Sequence, residues 1–139
     1  MIVQTQTTSF KKELYEGIHD LLTDTIRIAL YTALADLDES TTAYTTDNEI
    51  TGTGYTAGGN ILTGTTVSSS GKTAYVSFAN TSWANASFTC RGALIYNASK
   101  ANRSIAILNF GSDKIVTNNT FLIQFPPNVA NSAIIRSSN

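Results

Sequence analysis

The chain has one cysteine (Cys90), one histidine (His19), two prolines (Pro126, Pro127) and only 14% charged residues, against roughly one quarter in ordinary globular proteins. A single thiol forbids an intramolecular disulfide and excludes a disulfide-stapled secreted scaffold, so Cys90 reads as a small buried hydrophobe. One imidazole rules out multi-histidine metal centres and histidine relays. No apolar run approaches membrane length, and the N-terminus lacks the basic and apolar regions of an export signal. The expectation is a protein made and folded in cytoplasm, with no membrane partner. A net charge of -1 offers no basic face for nucleic acid.

What is abundant is Thr, Ser and Asn, together about a third of the 139 residues, which makes an uncharged surface compatible with strands. That length suits one domain able to bury roughly two thirds of its unfolded surface. Charge is spread unevenly. Residues 1–50 hold three basic and nine acidic groups, net -6, and residues 51–139 hold six basic and one acidic, net +5. Halves of opposite sign attract each other within one chain or head to tail between copies.

The densest apolar segment predicts a central hairpin: Phe88 to Tyr96 and Ile105 to Phe110, joined through polar Asn97 to Ser104. Ala93 to Tyr96 and Ile105 to Leu108 are continuous rather than alternating, so both faces of these strands are expected to be covered. Gly92 within the first run marks a bulge or a close backbone approach. Residues 1–8 read as a polar arm before a single domain over 9–139. Phe10, Leu14, Ile18, Leu21 and Leu22 share one face at helical spacing, predicting an amphipathic helix over about 9–23, with His19 on it and Gly17 costing about 1 kcal/mol in its interior.

Thr25 to Tyr31 alternates as a half-buried strand, and residues 35–60 form a long polar loop with four glycines. A loop of that length is functional or ordered by a partner. Strands follow at 61–67, 73–79, 114–117, 120–125 and 133–136. Asn80 to Ala86 reads as a loop around Trp83, and Asn118-Asn119 as a tight turn. One leading helix and about eight strands imply a mainly β chain, an antiparallel β-sandwich or jelly-roll-like domain.

Motifs with catalytic precedent fail on context. Gly52-Thr53-Gly54-Tyr55-Thr56-Ala57 matches a loose dinucleotide fingerprint, but no apolar strand precedes it and no helix follows. Gly71-Lys72-Thr73 lacks the earlier glycine of a phosphate loop, and a strand pattern follows it. Asp36, Asp38 and Glu39 can ligate calcium, yet an EF-hand needs glycine where Thr41 stands, so a solvated acidic turn is favoured. No catalytic residue, cofactor or metal site follows. The candidate interface residues are Tyr44, Tyr55 and Trp83, aromatics in polar loops able to stack on a glycan, anchor a protein partner or cap the core, together with Asp36, Asp38 and Glu39.

Four stretches carry a resemblance: Ser-Phe-Lys-Lys-Glu-Leu-Tyr-Glu-Gly-Ile-His-Asp at 9–20, Ile-Ala-Leu-Tyr-Thr-Ala at 28–33, residues 42–59 ending in Thr-Gly-Thr-Gly-Tyr-Thr-Ala-Gly-Gly, and Arg-Gly-Ala-Leu-Ile-Tyr-Asn at 91–97. With them the chain resembles a family of small virion structural proteins of tailed bacteriophages, over about residues 8–136. The resemblance implies a virion component without enzymatic activity, acting as a homo-oligomer and contacting other virion proteins, above all the major capsid protein. A capsid decoration or cement role is expected, with a tail or fibre-attachment component or a carbohydrate-binding β-sandwich as alternatives.

Overall fold

A computed structural model describes residues 1–138. The chain is mainly β, with two antiparallel sheets and one short helix in a sandwich-like arrangement. In chain order the elements are β1 (Thr5–Gln6), α1 (Thr8–Tyr15), β2 (Ile26–Tyr31), β3 (Asn60–Ile61), β4 (Thr66–Ser70), β5 (Thr73–Ser77), β6 (Thr81–Asn97), β7 (Arg103–Ile123) and β8 (Ile135–Ser138). The larger sheet has the order β1-β7-β6-β2-β3 and the smaller β4-β5-β8. The expected central hairpin is β6 and β7, which pair antiparallel from Thr81↔Ile123 to Asn97↔Arg103.

The continuous apolar runs have the predicted consequence. Ile26, Ile28, Leu30, Ala93, Ile95, Ile105 and Leu108 face the sandwich interior with Phe10, Val76, Phe78 and Ile135. Ala29, Tyr31, Leu94, Tyr96 and Ile107 face the other way, into a second cluster with Ile2, Ala35 and Leu37. The polar loop therefore supplies the cover for the outer face. Gly92 combines both expected uses: the register shifts between Cys90 and Gly92, and a Cβ there would stand 2.7 Å from the Leu108 carbonyl oxygen and 2.9 Å from Ile2.

Several boundaries differ from expectation. The helix is α1, eight residues rather than 9–23. Thr7 caps it, its Oγ accepting from Phe10 N at 3.3 Å. Gly17 is not a penalty in a helix interior but the left-handed residue after the C-cap, φ +73. Gly17 N donates to Leu14 O and Ile18 N to Glu13 O, the paired bonds of a Schellman motif. Leu21 is consequently buried from a turn, and Leu22 is exposed. Residues 1–8 are not a loose arm, since Thr5 and Gln6 pair with Ile107 and Ala106 and Ile2 and Thr7 are buried.

Trp83 lies in β6 rather than in a loop. Asn118 (φ +46) makes an irregularity inside β7 instead of a turn; its N–H donates to Ser87 Oγ across the hairpin at 2.9 Å. A side-chain acceptor on the neighbouring strand thus does the work that a reversal would have done. The predicted strand at 61–67 splits into β3 and β4, and the last strand begins at Ile135.

Candidate functional site

Between β2 and β3 the chain leaves the sheet, crosses its outer face and returns. Glu49 is the residue that holds this excursion. Its Oε1 accepts from Tyr44 Oη at 2.6 Å; its Oε2 accepts from Tyr55 Oη and from Gly58 N at 2.8 Å. Tyr55 Oη in turn accepts from Leu30 N at 3.0 Å, so the loop is tied to the backbone of β2. Further bonds run the same way: Tyr31 Oη to Thr45 O at 2.6 Å, Tyr96 Oη to Gly58 O at 2.6 Å, and Arg27 Nη2 to Gly59 O at 2.8 Å.

Burial, with the Glu49 carboxylate beside them, raises the phenols of Tyr31, Tyr44 and Tyr55 well above the usual tyrosine range. They remain donors through neutral and alkaline pH. The cluster is a clasp made of neutral donors around one carboxylate.

Of the sequence-chosen aromatics, Tyr44 and Tyr55 meet at Glu49 but on different sides. The Tyr44 ring stacks on Tyr96 at 4.7 Å, and Tyr55 packs 6.2 Å from Trp83. Trp83 is only 4% exposed, and its indole N–H finds no acceptor among the described residues. The three rings serve the interior more than a common outward platform. Asp36 is exposed, 3.7 Å from the N-terminal ammonium, a surface pair of small effect. Asp38 accepts from Ser40 N at 2.9 Å and from Ser40 Oγ, and these bonds hold its carboxyl below the usual range. Glu39 is exposed, while its carbonyl accepts from Thr8 N at 2.9 Å. The acidic turn thus closes over the start of α1.

A second network lies under the end of α1. His19, expected within the helix in a surface or packing role, lies beyond the end of α1; it follows the Schellman turn inward, and its side chain is fully buried. Asn97 Nδ2 can only donate, and it donates to His19 Nδ1 at 3.0 Å and to Asp24 Oδ2 at 2.8 Å. His19 Nδ1 is therefore the acceptor, and Nε2 carries the proton given to Glu13 Oε1 at 2.9 Å. Lys100 pairs with Asp24 at 2.9 Å, and Arg103 with Glu13 at 3.0 Å. Part of the opposite charge bias of the two halves is thus satisfied within one chain. Sequence reasoning passed over Glu49, Arg27 and Asn97; a carboxylate directly before the buried Ile50, amid tyrosines and glycines, is the signal that was available.

Desolvation opposes ionisation of Asp24, but hydrogen bonds from Asn97, Lys100 and the Asp20 backbone outweigh it and hold the carboxyl at about 2. The folded value lies below the unfolded one, so this stabilisation is present above about pH 4 and is lost as pH falls toward 2. Urea midpoints measured from pH 6 to pH 2 are expected to fall, and to fall less steeply in Asp24→Asn. Equal slopes would show that Asp24 does not carry the effect.

Cys90 is buried, its thiol pushed up to about 12 chiefly by burial. Among the described residues no group of three or more His, Cys, Asp or Glu is placed to hold a metal ion, and no helix is long and apolar enough to cross a membrane. Comparison with protein-family models, with curated proteins and with solved structures finds no match.

Proposed function

We propose that this chain is a non-enzymatic structural protein of a tailed-bacteriophage particle, most specifically a decoration or cement protein that binds the assembled head shell as a homo-oligomer. The observation that carries the reading is where its reactive side chains go. His19, Asp24, Glu13 and Glu49 are each engaged in bonds that hold one part of the chain to another. The solvent face carries many Ser, Thr and Asn residues, with exposed charges such as Asp36, Glu39 and Lys72 and scattered apolar side chains such as Ile115 and Leu122. Such a surface suits repeated contacts of modest strength. Contacts of that kind, multiplied over a closed shell, act together by raising effective concentration. The reading also draws on the four stretches of resemblance, which fall on α1 and the turn after it, on β2, on β6 and on the clasped loop.

Cryo-electron microscopy of intact particles from the encoding virus is expected to place copies in a regular array over the shell. Particles lacking the protein are expected to release their genome at lower temperature. Density confined to the tail or its fibres would replace the shell assignment with that of a tail or fibre-attachment component. Unchanged particle stability would remove the cementing role.

A further inference from the structure

Between α1 and the smaller sheet lies an apolar groove of about 490 Å³. Its floor belongs to the inner cluster through Phe10, Val76 and Ile135. Its rim is Leu14, Leu22 and Val67, which are 40%, 63% and 50% exposed. Two cations border it. Arg136 lines the β8 side, and Lys11, three residues before Leu14 on α1, shares that side of the helix. Both are exposed, and neither is in an ion pair among the described residues. Asp20, also on the wall, has a carboxylate oxygen engaged by Leu22 N at 3.2 Å.

The same chain carries a projection of the complementary kind. Where β2 ends, a tight turn at Ala33 and Leu34 is closed by Ala35 N donating to Thr32 O at 3.1 Å and by Leu34 N donating to Thr32 Oγ1 at 3.3 Å. Leu34 is 79% exposed. The turn is nonetheless held in place, because Asn48 Nδ2 donates to Leu34 O at 3.4 Å and Ala35 and Leu37 are buried in the outer cluster. Acids flank it. Asp36 follows two residues on and Asp47 adjoins Asn48, both exposed. The charge nearest Asp36 is the N-terminal ammonium at 3.7 Å, with both groups 86% exposed, so Asp36 is free to face another partner.

We propose that the Ala33–Leu34 turn of one copy seats in the α1 groove of the next, with Leu34 against Leu14, Leu22 and Val67 and its flanking acids beside Arg136 and Lys11. The turn packs on the outer cluster and the groove opens on the inner one, on opposite sides of the larger sheet. A chain therefore cannot fill its own groove. The contact runs head to tail, and copies joined in this way close into a ring where the rotation permits. Charge selects a second copy as the occupant. Glu13 and Asp24 are satisfied within the chain by Arg103 and Lys100, which leaves Asp36 and Asp47 beside the projecting leucine and Lys11 and Arg136 beside the groove. A turn already closed by its own bonds also loses little freedom on docking. The inference rests on the homo-oligomer part of the proposed function and is independent of where on a particle the protein sits.

The test is sedimentation velocity of the full chain from micromolar to millimolar concentration, which is expected to show association that weakens in about 1 M salt. Leu34→Ser changes an exposed side chain and is expected to weaken association at least tenfold with an unchanged melting midpoint. Asp36→Lys and Arg136→Glu are each expected to weaken it on the order of tenfold. An equimolar mixture of those two variants is expected to recover it, because every contact between unlike copies again joins opposite charges. Oligomers that persist unchanged in Leu34→Ser and in both charge variants would overturn this interface while leaving the homo-oligomer reading in place. A chain that stays monomeric to millimolar concentration would overturn both. Self-association unaffected by Arg136→Glu, with binding to particles lost, would overturn the inference by giving the groove to a shell protein.

Discussion

Glu49→Ala is expected to destabilise the fold by about 3 kcal/mol, a fall of about 10 °C in the melting midpoint. The substitution strands three donors at once: the hydroxyls of Tyr44 and Tyr55 and the N–H of Gly58. Tyr55 Oη also anchors Leu30 N, so the loss reaches the edge of β2. Hydrogen bonds to an ionised acceptor are roughly twice as strong as neutral ones, and Glu49→Gln is therefore expected to fall between wild type and alanine. Amide exchange gives the spatial readout. Gly58 and residues of the crossing loop are expected to lose protection in Glu49→Ala, whereas Ile95 and Ile107 in the middle of the sheet keep theirs. A midpoint within a degree of wild type would mean that the tyrosines and the loop hold without the carboxylate.

Gly59→Ala is expected to be more damaging still. Gly59 has φ +76, and a Cβ there would lie 1.7 Å from the Ile28 carbonyl oxygen, 2.6 Å from its carbon and 2.9 Å from Ala29 Cα. All three are backbone atoms of a central strand, so nothing flexible can move aside. Relief requires β3 to detach from β2, which also frees the Gly59 carbonyl from Arg27. A cost above about 4 kcal/mol is a large part of the stability of a domain this size. The expected outcome is a protein without a cooperative transition, recovered mainly as insoluble material. Gly71 is the control, because it too is left-handed, at φ +57, but a Cβ there meets nothing within 4 Å. Gly71→Ala is expected to cost only about 1 kcal/mol. Similar losses for both would show that the close approach at Gly59 yields.

Expectations drawn from the sequence succeeded where the signal is short-range. Alternation over Ile26 to Tyr31 marks a strand because side chains of a strand alternate between faces, and β2 is there, but it is buried on both faces rather than half-buried because Ala29 and Tyr31 pack under the crossing loop. The unbroken runs at 93–96 and 105–108 announced two buried faces, which the two clusters occupy. Gly17 shows how a local signal can be present and misassigned. The apolar spacing of Ile18, Leu21 and Leu22 continued the helical pattern, so the glycine was set inside a helix; the chain instead uses its left-handed freedom to stop α1 and send His19 inward. Asn118-Asn119 is similar, since the same positive φ that closes a hairpin also accommodates an irregularity within β7.

The candidate site was less legible than the fold. Tyr44 and Tyr55 were singled out as aromatics in a polar loop, which is what composition alone can say. That both hydroxyls converge on Glu49 depends on how the loop crosses the sheet.

By itself, then, the sequence determined that this chain is mainly β, that its central hairpin is covered on both faces, and that a single cysteine and a single histidine leave no disulfide and no multi-histidine centre. Only the tertiary structure decided what covers the outer face, which carboxylate gathers the tyrosines, and where an apolar groove is left open beside α1. The physical reason is range. Periodicity and turn preference act over a few residues, whereas the bonds from Tyr96 to Gly58, Asn97 to His19 and Gln6 to Arg136 join positions 38, 78 and 130 residues apart, and such pairs exist only after the sheets have packed.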